Sequence, residues 1–159
     1  MGCDIHIYTE RKSAEGYELV KGAKFIEGPD PFDWRSYGMF GFLAGVRNYS
    51  AVTPIADPRG LPRDVSTEVA EEYETWSRDA HSASWISVSE LVAFDYGQVI
   101  EDRRVTVQMG PNHWDGGGTA EPGGGRPMTY REFLGHRFFD DLQKLSEAGA
   151  DRIVFWFDN

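Results

Sequence analysis

The chain has 159 residues, 26 acidic against 16 basic, a formal charge of −10, and ten Phe, seven Tyr and five Trp. This length makes one ordinary domain with an aromatic-rich core, and the acidic balance argues against nucleic acid or anionic membrane as partners, since both would be repelled at long range; a small anion held by local arginines stays allowed. A single cysteine, Cys3, excludes an intrachain disulfide framework and a Cys-rich zinc site, and no apolar run reaches the ~20 residues of a membrane span. With no basic-then-apolar leader, and with His6 where a myristoylation pattern wants Ser or Thr, the expectation is a soluble, cytoplasmic protein.

Residues 3–8 alternate as a half-buried strand does, so Cys3, Ile5 and Ile7 share one face and Asp4, His6 and Tyr8 the other. An acid and an imidazole on one face, about 7 Å apart at the strand rise, can converge on one metal, proton or ligand. The turn Ser13-Ala-Glu-Gly16 and the segment Tyr17-Glu-Leu-Val20 complete a hairpin over residues 3–21, and Gly28-Pro-Asp-Pro31 then breaks the pattern.

Apolar residues at three-to-four spacing predict a helix from Asp33 to Val46, with Gly38, Gly41 and Gly45 acceptable where another element packs closely. Residues 47–65 form a Pro-punctuated loop in which Asp57-Pro-Arg-Gly-Leu-Pro62 holds Arg59 on a stiff turn. Ser66 caps a helix to about Ser77, with Val69, Tyr73 and Trp76 inward and its glutamates outward. Asp79-Ala-His-Ser-Ala-Ser-Trp85 follows as a connector, and the capping box Ser87-Val-Ser-Glu90 opens a short helix.

Residues 103–108 predict a strand, and the Gly/Pro-rich stretch at about 110–127, which carries His113-Trp-Asp115, a flexible loop. The second capping box, Thr129-Tyr-Arg-Glu132, opens the longest predicted helix, Tyr130 to Ala148, with His136 a packing or capping residue and Gly149 the stop. The apolar run before Asp158 predicts a central strand buried on both faces. Both chain ends being strands, they pair in mid-sheet, and Asp158 approaches Asp4 and His6 if the pairing direction allows. The fold expectation is therefore a single α+β domain over residues 1–159, an antiparallel or mixed sheet of four to five strands with three to four helices packed on it.

Three functional classes fit these residues. Binding of a nucleotide-like or phosphorylated small molecule would use Asp4, His6, Arg47, Asn48, Arg59, Asp79, His81, Ser82, Ser84 and Trp85: guanidiniums for anionic oxygens, hydroxyls and amides for orientation, and Trp85, Tyr49 or Trp34 for stacking. Metal-dependent hydrolysis would use the two Asp-x-His units, Asp4 with His6 and Asp79 with His81, around a divalent Zn, Mn or Fe. In a metal-free version His6 or His81 is the catalytic acid or base, and Ser82 or Ser84 a nucleophile, though no Gly-x-Ser-x-Gly elbow accompanies them. The third class is a protein–protein interaction module, and a homo-oligomer is compatible with all three.

The segments Met1-Gly-Cys-Asp-Ile-His6, Leu43-Ala-Gly-Val-Arg-Asn48, Pro58-Arg-Gly-Leu-Pro62, Asp79-Ala-His-Ser-Ala-Ser-Trp85 and Val154-Phe-Trp-Phe-Asp-Asn159 resemble a family of small phage and bacterial proteins. The resemblance spans nearly the whole chain and implies a phage-type or prophage-type protein of the host cytoplasm. By analogy with other small phage proteins, it also suggests a sponge for a host nucleotide immune signal, or an enzyme that cleaves one.

Overall fold

The computed structural model describes the backbone of residues 2–110 and 113–159, and the side chains outside 106–117. Its centre is a four-stranded antiparallel sheet in the order β2-β1-β8-β3, built from β1 (Asp4–Ser13), β2 (Gly16–Leu19), β3 (His81–Ser87) and β8 (Arg152–Asp158). The two ends of the chain lie side by side, with Asp4 opposite Asp158 and His6 opposite Trp156. Every residue of β8 from Arg152 to Phe157 is buried, as its apolar run predicts.

Helices cover both faces. On one face, Ile5, Ile7, Phe155 and Phe157 pack under α1 (Tyr37–Ala44), α3 (Val88–Ala93), α4 (Tyr130–Leu134) and α5 (His136–Glu147). On the other, Val154 and Trp156 meet Val69, Tyr73 and Trp76 of α2 (Thr67–Trp76). Two ribbons flank this layer: β4 (Val99–Asp102) with β7 (Arg126–Thr129), and β5 (Arg104–Gly110) with β6 (His113–Thr119). The fold is thus α+β, as the sequence predicts, with five α-helices among the described residues.

Four local expectations change. The helix predicted from Asp33 starts only at Tyr37, because Phe32 has φ +57° and Ser36 caps the first turn by accepting from the Met39 N–H. Its glycines do permit close packing: a Cβ on Gly41 would sit 2.7 Å from Asn48 Oδ1. The helix expected over 130–148 breaks at Gly135, whose φ of +82° and ψ of +165° lie outside helical space. The segment 79–85 is not a connector, since His81 onward pairs with β8 as an edge strand. The stretch expected as a flexible loop at 110–127 instead holds β6, whose Gly118 pairs with Val105 of β5, and the start of β7; the side chains of His113 and Asp115 lie outside the described residues.

Candidate functional site

The sheet register decides which candidate residues meet. Residues opposite one another on antiparallel strands project to the same face. His6 faces Trp156 on the α2 side, whereas His81 faces Phe157, one residue further along β8 and therefore on the other side. A bulge between His81 and Ser84, with Ser82 at φ +55°, re-sets the alternation of β3. The two Asp-x-His units consequently do not share one cavity, which corrects the expectation that they converge. Asp79 lies in a short 3-10 turn (Ser77–Asp79) and is exposed. Among the described residues no group of three or more His, Cys, Asp or Glu side chains is arranged to hold a metal ion.

On the α2 side, Asp4 accepts two hydrogen bonds from Arg35 at 2.9 Å each, and the guanidinium holds its carboxyl below the usual range. Asp158 does approach His6, with Oδ2 3.3 Å from Nε2, although off the line of a hydrogen bond. The imidazole lies against Trp76, ring centroids 3.8 Å apart. Burial, with Asp33 adding to it, pushes the Asp30 carboxyl up to about 6.

Arg59 does not project into a ligand site. It donates from both terminal nitrogens to Glu90, covers the Trp85 ring at 4.6 Å, and its backbone N–H donates to the buried Ser84 hydroxyl. Hydrogen bonding from Arg59 holds Glu90 down to about 2. Asn48 is equally occupied: its amide donates to Val52 O at 2.7 Å and accepts from Val52 N–H at 3.1 Å, closing the turn after α1. These contacts fasten the loop of residues 47–65 over the core.

Arg47, His81 and Ser82 do come together, around Asn159. Arg47 follows the Gly45 cap of α1 in a left-handed conformation, φ +50°, which costs a non-glycine residue about 1–2 kcal/mol. Its guanidinium donates to the Tyr49 hydroxyl at 3.2 Å and to Asn159 Oδ1 at 3.3 Å, and lies over the Tyr37 ring at 5.6 Å. His81 reaches the same amide oxygen from Nε2 at 3.3 Å, while its Nδ1 lies 3.1 Å from the Ser82 hydroxyl.

With His81 neutral, one proton arrangement satisfies this chain of contacts. A guanidinium can only donate, so the Asn159 atom facing it must be the oxygen. That oxygen can only accept, so His81 carries its hydrogen on Nε2. The Nδ1 lone pair is left to accept from Ser82 Oγ–H. Nearby, burial pushes the Cys3 thiol up against the opposing influence of Arg47, which keeps it protonated.

Asn159 and Arg35 were not legible as site residues. Nothing in the local pattern marks Asn159, which acquires its place by following β8 to the end of the sheet. Compared with family models, curated proteins and solved structures, the chain matches none.

Proposed function

We propose that the chain binds a phosphorylated, nucleotide-like small molecule at the cluster formed by Arg47, Tyr49, His81, Ser82 and Asn159. The observation that carries this reading is a charge imbalance. In a protein of net charge −10, Arg35, Arg59, Arg104 and Arg152 each have a carboxylate within 4 Å, whereas among the described residues the hydrogen-bond partners of Arg47 and His81 are neutral. A guanidinium with neutral acceptors keeps donors and charge for an incoming anion, and Arg is suited to phosphate oxygens. Tyr49 is 41% exposed beside it and offers a face for a planar base. Long-range repulsion from the acidic surface favours a small anion over a polyanion. Three of the segments behind the family resemblance, 43–48, 79–85 and 154–159, meet here.

Thermal unfolding against a panel of nucleoside mono-, di- and triphosphates and cyclic nucleotides tests the reading. At ligand 100-fold above Kd, stabilisation of about 2.7 kcal/mol is expected. No shift with any member, in wild-type protein at low salt, would remove it.

A further inference from the structure

We infer that Ser82 is a nucleophile and His81 its general base, so that the site cleaves a phosphodiester as well as binding it. This inference rests on the anion-binding reading of the same cluster and adds a reaction to it. Covalent catalysis needs a nucleophile within hydrogen-bond reach of a base and a third group orienting that base. Ser82 Oγ lies 3.1 Å from His81 Nδ1, and Asn159 Oδ1 lies 3.3 Å from Nε2. The donor-only guanidinium of Arg47 fixes the amide, the amide fixes the tautomer, and the tautomer turns the basic lone pair toward the hydroxyl. Asn159 is a positioning residue in this scheme. Ser82 sits at φ +55° on the bulge of an edge strand, a strained setting of the kind that accumulates at working sites.

In the first step the Ser82 Oγ–P bond forms and the P–O bond to the leaving alcohol breaks. The hydroxyl proton passes to His81 Nδ1 and on to the departing alkoxide. Water then attacks phosphorus, gives a proton to His81 and releases Oγ, which regains that proton. The balance is diester plus water to monoester plus alcohol. Three hydrogen bonds and one imidazole ring separate Arg47 from Ser82. A substrate that uses both must therefore be a phosphodiester carrying a second anionic group, with its base against Tyr49.

The test treats the wild-type chain with diisopropyl fluorophosphate and maps the adduct by peptide mass spectrometry, alongside turnover of thymidine 3′-phosphate 5′-(4-nitrophenyl phosphate), whose 3′-phosphate is the second anionic group. Expected are one phosphorylated residue, Ser82, and a labelling rate that falls by about 100-fold or more in His81→Gln, the usual scale for loss of a general base. Turnover should vanish in Ser82→Gly, where glycine accepts the positive φ. An unlabelled Ser82 in protein that still binds nucleotides overturns the nucleophile and leaves the binding reading standing. Labelling of Ser82 at an unchanged rate in His81→Gln overturns the dyad. Because the adduct is mapped on the native chain, the first result does not depend on any variant folding.

Discussion

Arg152 and Arg47 stand at opposite ends of β8 and show two uses of one side chain. Arg152, 5% exposed, donates to Glu10 at 2.7 Å and to Asp64 at 2.9 Å, and covers Tyr17. Glu10 is completely buried and also accepts from the Ser66 N–H, so this cluster joins β1, β8, the 47–65 loop and the start of α2. Among the described residues Arg47 meets neutral acceptors and an aromatic face. Where an arginine's charge is answered inside the fold, it holds elements together; where it is left unanswered, it is available to a ligand.

The largest expected effect lies at the balanced end. Arg152→Met should destabilise by about 3–5 kcal/mol, because it leaves the buried Glu10 carboxylate alone. Replacing both partners, Glu10→Leu with Arg152→Met, should recover much of that loss in urea unfolding. A double variant no better than the single would show that the contribution of Arg152 is not electrostatic. Asp141, at the same end of the scale of expected effects, is fully buried and accepts from the N–H groups of Ile26 and Phe32. Asp141→Ala should cost about 2–3 kcal/mol through its charge-assisted bonds and loosen residues 22–32 to proteolysis.

At the unbalanced end the readouts separate. Arg47→Ala should change stability by less than about 0.5 kcal/mol, as for an ordinary surface substitution. Nucleotide affinity should fall by about 10–100-fold, the worth of one charge-assisted contact, by isothermal titration. A large loss of stability with unchanged affinity would make Arg47 a second Arg152.

The smallest effect concerns Asp30, whose carboxyl is raised from 3.8 to about 6 by burial and Asp33. The folded state then holds its proton more tightly than the unfolded chain, so stability falls as pH rises from about 4 through 6 and stays lower above that. Asp30→Asn should gain about 1–2 kcal/mol at pH 7 and nothing near pH 3, read from denaturation midpoints at both values.

Local chemistry was legible in the sequence, and long-range pairing only in part. The alternation of residues 3–8 and the apolar run of 153–157 placed β1 and β8 correctly, and their antiparallel register brings Asp158 to His6. Both capping boxes form as their spacing predicts. The strand character of 81–87 was hidden because the bulge at 82–83 interrupts its alternation, and that bulge places His81 on the opposite face from His6. The glycines of β6 carry almost no strand propensity, so only pairing with β5 reveals it. Asn159 depends on three segments distant in sequence, which no local pattern can encode.

The most direct measurement follows the Arg47 guanidinium and His81 imidazole signals by nuclear magnetic resonance while nucleotides are added. The account predicts saturable shifts at both residues, with the His81 hydrogen on Nε2 in the free protein. Binding that moves other resonances and leaves those two in place would contradict it.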